Sequence, residues 1–230
     1  MIRKRVAILI SGRGSNMAAL IAAGKAPAFP AEIVLVLSNR PEAAGLAVAR
    51  AEGVTTVVID HSSFADREGF ERAMQAVLDG QKVELVCLAG FMRRLTPWFV
   101  GRWQGRMINI HPALLPAFKG LDTHARALAA GVKVHGASVH FVVPDVDSGP
   151  LIAQGAVEVR DDDTAETLAA RVLAIEHRIY PTALALLASG RVKLVDGRCR
   201  IEGSYPTGSS LIVPDGVDCS TPSDNRGAPP

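Results

Sequence analysis

Three short stretches carry side chains able to act on a small molecule. The first is Met107-Ile108-Asn109-Ile110-His111-Pro112. If its apolar residues form a strand, side chains two apart share a face, so Asn109 and His111 stand together where the strand ends. An amide N–H beside a charged imidazole can grip a carbonyl oxygen and stabilise negative charge developing on it. An imidazole also titrates close enough to neutrality to pass a proton. The plainer alternative is a histidine bonded to a backbone carbonyl, with the asparagine holding a turn. The second stretch, Pro144-Asp145-Val146-Asp147-Ser148-Gly149-Pro150, is a strong turn after the apolar run Val139–Val143. An aspartate there can orient a base or shuttle a proton, or simply bond its own backbone.

The third stretch, Ser11-Gly12-Arg13-Gly14-Ser15-Asn16, lies between an apolar run and a helical pattern. It places backbone N–H groups at a helix N-terminus, where partial positive charge favours an anion. A dinucleotide fingerprint fails, because Met17 stands where a third glycine is needed and Ser38-Asn39-Arg40 where an acid is needed. A P-loop fails too, because no Gly-Lys-Ser/Thr follows. What remains is a monophosphate cradle, or a tight turn capped by Ser15 or Asn16. Residues 112–123 form a long stretch of low periodicity, as binding loops do. No metal is expected. His135 and His140 are an odd number apart and face opposite sides of a regular strand, and no zinc spacing occurs.

The elements that position these stretches are legible as alternating patterns. Short apolar, β-branched runs at Val6–Ile10, Ile33–Leu37, Thr56–Ile59, Val83–Leu88, Met107–Ile110 and Ala137–Val143 read as strands. Asn16–Ala23, Ala43–Glu52, Phe64–Leu78 and Thr123–Ala130 read as helices. The alternation predicts βαβ units, hence an α/β doubly wound, mainly parallel sheet with ligands at the strands' carboxyl ends. A last long helix spans Thr164–Ala188, capped by Asp163 or Thr164 and ended by Gly190, with a kink or break expected at Pro181. Val192–Val195 and Cys199–Ile201 form a hairpin around Asp196-Gly197. Residues 1–203 are read as one domain and 204–230, rich in Pro, Gly, Ser, Asp and Asn, as a mobile tail.

Composition narrows the class. The 230 residues are 48% hydrophobic, with 25 Lys plus Arg against 23 Asp plus Glu and no run of five like charges. That near-balance argues against nucleic-acid and membrane-surface partners, which favour clustered basic residues. Cys87, Cys199 and Cys219 match no disulfide or zinc framework. Cys87 lies in an apolar run, as a buried inert thiol in a reducing, cytoplasmic compartment would. No apolar stretch approaches the roughly 20 residues of a membrane span.

The ordered set Ser11–Asn16, Leu88-Ala89-Gly90-Phe91-Met92-Arg93, Asn109–Pro112 with Leu114-Leu115-Pro116, His135–His140 and Asp145–Pro150 strongly resembles the folate-dependent formyltransferases, specifically the phosphoribosylglycinamide formyltransferases, over about residues 5–202. The resemblance implies a Rossmann-like formyltransferase fold. It implies transfer of the formyl group of 10-formyltetrahydrofolate to the amine of glycinamide ribonucleotide in de novo purine synthesis. The amine would attack directly, through a tetrahedral intermediate and without a metal. Asn109, His111 and Asp147 would be catalytic. Gly14, Ser15, Asn16 and Glu176 would hold the ribonucleotide. Arg67, Met92, Arg93, Arg94, Leu95, Asn109 and the run Val143, Pro144, Asp145, Val146, Asp147 would bind the folate. Its partners would be these small molecules, acting on a monomer or homodimer. Ser148 stands where relatives often carry glycine, and Arg13 where they often carry asparagine.

Three alternatives stay open. A formyltetrahydrofolate hydrolase shares the catalytic trio but usually carries an N-terminal regulatory domain, whereas strand one is expected within five residues of the start. A methionyl-tRNA formyltransferase needs a further C-terminal domain and a basic surface. A non-catalytic phosphate-ligand binding domain needs only the scaffold.

Overall fold

A computed structural model describes residues 3–202. The tail reading for 204–230, with Cys219, lies outside the described residues. Strands β1 (Lys4–Ile10), β2 (Ala31–Ser38), β3 (Thr56–Val58), β4 (Leu85–Leu88), β5 (Met107–His111), β6 (Val134–Phe141) and β7 (Leu151–Glu158) form one sheet in the order β3-β2-β1-β4-β5-β6-β7. Strands β1 to β5 pair in parallel, and β6 runs antiparallel to both of its neighbours, β5 and β7. Helices α1 (Ser15–Gly24), α2 (Gly45–Ala51), α3 (Arg67–Gly80), α4 (Pro97–Arg102), α5 (Thr123–Ala129) and α6 (Ala165–Ala188) complete the unit, followed by the hairpin β8 (Val192–Val195) and β9 (Arg198–Ile201).

β1 shows why its sequence does not alternate. Ile8 and Ile10 pack in a cluster with Met17, Leu20, Tyr180 and Leu184 from α1 and α6. Ala7 and Leu9 pack in a second cluster with Phe70 and Met74 of α3 and Phe99 and Trp103 around α4. Both faces are covered from Val6 to Ile10, so every position in that stretch is apolar. Cys87 is fully buried in β4, and burial pushes its thiol up to about 12, as an inert thiol requires.

The structure adds two elements that sequence reasoning missed and corrects two expectations. Strand β7 carries no β-branched run, and Gly155 within it looks like a break. It is instead the seat of α6, since a Cβ there would lie 2.1 Å from Ile175 Cγ2. Helix α4 is six residues long, too short to show a period, and is started by Thr96 and Pro97. Helix α3 begins at Arg67 rather than Phe64, because the Asp66 carboxylate accepts the Gly69 N–H at 2.7 Å and caps it there. Pro181 does not break α6, which runs from Ala165 to Ala188. Tyr180, Ala183 and Leu184 are fully buried around it, and their packing holds the helix where one hydrogen bond is lost. Thr164 is the N-cap of α6, in a capping box with Thr167. Asp196 and Gly197 both take positive φ, as a two-residue hairpin turn demands.

Candidate active site

Strand order reverses direction between β1 and β4, the place where open α/β sheets bind ligands. The loop after β1 turns into α1 through Gly14, at φ +75°, and no side chain caps the helix. The capped-turn alternative therefore does not describe this loop. A side chain at Gly14 would put its Cβ 3.0 Å from the Gly45 Cα, and the Gly45 N–H donates to the Gly12 carbonyl at 3.0 Å. Sequence reasoning missed Gly45, since only the tertiary fold brings α2 against this loop. Asn16 reaches α6 instead of its own backbone, its Nδ2 donating to Glu176 Oε2 at 2.6 Å. Its Oδ1 is buried without a partner. Burial raises the Glu176 pKa against the opposing Asn16 bond. An unsatisfied acceptor beside a buried carboxyl, next to uncapped helix N–H groups, suits a ligand bearing both an anion and hydroxyl or amine donors.

The second half of the site lies on the β5–β6 seam. Asn109 pairs opposite His140, and His111 opposite Ser138. His140 Nδ1 lies 2.8 Å from the Phe141 carbonyl, so it carries the proton, and the bare Nε2 accepts the Asn109 Nδ2–H at 3.2 Å. One amide proton of Asn109 is thus fixed and the other is left for a ligand. His111 faces two acceptors, the Phe118 carbonyl at 3.0 Å from Nε2 and Asp147 Oδ2 at 3.3 Å from Nδ1. The first contact is a hydrogen bond, and the second is a charge contact that an imidazolium would satisfy. Burial pushes the Asp147 carboxyl up, but the His140 imidazole, the Gly120 N–H at 3.0 Å and His111 outweigh it and hold it below the usual carboxylate range. His140 Nε2 is 3.7 Å from Asp147 Oδ1, beyond a good hydrogen bond.

Gly149 explains how a turn outside the strand aims a carboxylate inward. The chain doubles back so tightly that a Cβ at Gly149 would lie 1.7 Å from the Phe141 carbonyl oxygen. Asp147 itself sits at φ +49°. The long loop after β5 is pinned at its base. Ser138 Oγ accepts the Leu115 N–H and donates to the Ala113 carbonyl, while Gln154 Nε2 donates to the Leu115 carbonyl. Its tip bends over the site, with Phe118 and Asp122 at positive φ, and Lys119 Nζ donates to Ser148 Oγ at 2.7 Å.

The structure brings Asn109, His111 and Asp147 together, and separately Asn16 with Glu176. Met92, Arg93, Arg94 and Leu95 lie on the loop after β4, and Val143, Pro144, Asp145 and Val146 on the loop after β6. Met92 is 62% exposed and Val146 47% exposed, a degree of apolar exposure that suits a flat aromatic ligand. Arg67 is exposed at the first position of α3, and no hydrogen bond or ion pair joins it to the other site residues. His140, Ser138 and Gln154 were missed by sequence reasoning. The signal for His140 is strand pairing, which puts it directly across from Asn109. His135 makes no hydrogen bond to the trio, and its ring lies 5.4 Å from that of His124 in an edge-on contact. Among the described residues, no group of three His, Cys, Asp or Glu is placed to hold a metal ion.

Residues 4–184 match the formyl transferase family. The chain is 50% identical over 192 residues to the trifunctional purine biosynthetic protein adenosine-3 of Bos taurus, covering 84% of this chain and 19% of that one. It therefore spans about a fifth of that multifunctional relative. It is 41% identical to the phosphoribosylglycinamide formyltransferase of Escherichia coli, covering 86% of this chain and 93% of that one. The crystal structure of phosphoribosylglycinamide formyltransferase from Brucella melitensis superposes with a TM-score of 0.79 at 56% identity, covering 82% of this chain and 97% of that one. Taken with the geometry above, these matches show that the chain belongs to the formyl transferase family, in its phosphoribosylglycinamide formyltransferase branch.

Proposed function

We propose that this chain transfers the formyl group of 10-formyltetrahydrofolate to the amine of glycinamide ribonucleotide, a step of de novo purine synthesis. The meeting of Asn109, His111 and Asp147 from two distant segments carries the reading. The uncapped start of α1, with Gly14, Ser15 and Asn16, holds the phosphate, and Glu176 takes hydroxyl or amine donors of the ribonucleotide. Met92 to Leu95 and Val143 to Asp147 cradle the folate from two sides. Arg67, exposed at the start of α3, contributes at most charge toward the folate's acidic end.

The chemistry follows from the donors. Asn109 turns its free N–H toward the formyl oxygen, and His111 adds a charged donor, so both stabilise negative charge developing there. For this, one His111 N–H exchanges the Phe118 carbonyl for the formyl oxygen. Asp147 Oδ2, 3.3 Å from Nδ1, sets a negative charge beside the ring. It also takes the proton released by the attacking amine and returns it, directly or through water, to the folate nitrogen that leaves. No covalent bond to the protein forms. We place the enzyme in the cytoplasm, where its free Cys87 and Cys199 stay reduced. Among the described residues, no helix is long and apolar enough to cross a membrane.

The test is formyl transfer from 10-formyltetrahydrofolate to glycinamide ribonucleotide, run beside a control without the amine. Formylated ribonucleotide with a slow control supports the reading. Equal folate turnover in both arms makes the chain a hydrolase, and no turnover in either leaves a binding domain.

A further inference from the structure

The loop that receives the phosphate and the loop that receives the folate leave adjacent strands, and one buried hydroxyl joins them. Ser11 is the first residue after β1 and only 7% exposed. Its backbone N–H donates to the Gly90 carbonyl at 3.2 Å, and its Oγ accepts the Met92 N–H at 2.8 Å. These two bonds flank Phe91 and fix the start of the folate loop, where Gly90 turns at φ +72°. Because Met92 supplies a proton to Oγ, the hydroxyl's own proton must go elsewhere. It goes to Asn39 Oδ1 at 2.6 Å. Asn39 follows β2 and is 1% exposed. Its Nδ2 lies 3.2 Å from His61 Nδ1, beyond β3. A single side chain thus ties the carboxyl ends of β1, β2 and β4. Three residues on from Ser11, Gly14 opens the anion-facing helix α1.

We propose that Ser11 is a positioning residue that couples the two substrate subsites, so that filling the phosphate loop pre-orders Gly90-Phe91-Met92 for the folate, and the reverse. This rests on the reading that residues 14–16 take the phosphate and 92–95 the folate. A coupling of this kind is reciprocal by linkage. The Ser11–Asn39 bond at the centre of this network is buried and the hydroxyl uses both its donor and an acceptor, so a displacement of the first loop is transmitted rather than absorbed.

The experiment uses glycinamide ribonucleotide with tetrahydrofolate, a pair that cannot react. Calorimetry gives the affinity of each ligand alone and with the other present. In the intact chain, each ligand tightens the other by about fivefold or more, the lower end of ordinary site coupling. In Ser11→Ala the ratio falls to about 1, although each ligand still binds. Asn39→Ala, which leaves the hydroxyl but removes its acceptor, lowers the ratio partway and serves where Ser11→Ala does not fold. Hydrogen exchange at the Met92 amide gives a second readout, in which the ribonucleotide slows exchange in the intact chain and not in Ser11→Ala. A ratio of 1 in the intact chain, or full coupling in either variant, overturns the proposal while leaving the functional reading standing. Failure of the intact chain to bind either ligand removes the functional reading and the coupling with it.

Discussion

Replacing Asp147 by Asn keeps the shape of the turn and removes the charge that faces His111. The carboxylate is 9% exposed and its Oδ2 stands 3.3 Å from Nδ1. With an effective dielectric near 20, a unit-charge pair at that separation is worth about 5 kcal/mol, an upper bound because burial and the Gly120 N–H already oppose or share it. The amide also offers an N–H to Nδ1, which favours neutral His111 and removes the charged donor from the formyl oxygen. At 1.36 kcal/mol per decade the ceiling is above 10³-fold, and the acid–base range of about 10² to 10⁴ brackets the expected fall in kcat. Both KM values should stay within a few-fold, because the carboxylate faces imidazoles rather than the phosphate loop or the apolar folate surface. Since Asp147 is held below the usual carboxylate range, the ratio of intact to variant rate should stay flat as pH falls toward about 5. Stopped-flow transfer of the formyl group, followed by folate absorbance, measures kcat. A correctly folded Asp147→Asn with kcat within tenfold of the intact chain, or with its defect wholly in KM, would refute the reasoning.

Three further outcomes test other parts of the site. Glu176→Gln should raise KM for the ribonucleotide and leave the folate KM unchanged in steady-state titrations, because Glu176 meets Asn16 and not the trio. Gly149→Ala should lower both the denaturant midpoint and kcat, since its Cβ would lie 1.7 Å from the Phe141 oxygen and overpacking costs about 1–3 kcal/mol or more. His135 is held neutral, its pKa lowered from 6.5 to about 4 by burial first and then by the charges of His124 and His111. The unfolded chain binds that proton and the folded chain does not, so this stability is present above pH 6.5 and is lost as pH falls toward 4. Melting temperatures of His135→Phe across that window should show a shallower slope.

What the sequence made legible depended on local signals. β1 and β4 could be read because their covered stretches, Val6–Ile10 and Leu85–Leu88, are continuously apolar, and β5 because Met107, Ile108 and Ile110 frame its polar pair. The shared face of Asn109 and His111 followed from the two-residue period alone. The turn at residues 144–150 was legible, but its purpose was not, since a Gly in a turn does not announce a carbonyl 1.7 Å from its missing Cβ. β7 was hidden because Gly155 is set by the fit of α6 and Gln154 by its bonds to Leu115 and Ser138, rather than by strand propensity. The partnership of Asn16 with Glu176, 160 residues apart, has no local trace at all and entered only through family resemblance.

The sheet's change of direction is what makes the site work. Its parallel half delivers loops at the carboxyl ends of β1 and β4, and with them an uncapped helix start suited to an anion. Parallel strands alone would not face an imidazole toward Asn109. Antiparallel β6 does so, because opposite residues in such a pair sit side by side, and His140 falls at that position. The same reversal sends the chain out past Phe141 and forces it back through Gly149, which turns Asp147 toward both imidazoles. Anion recognition and proton handling therefore come from two kinds of strand pairing. The residues that join them are the ones whose loss should damage catalysis without touching a substrate.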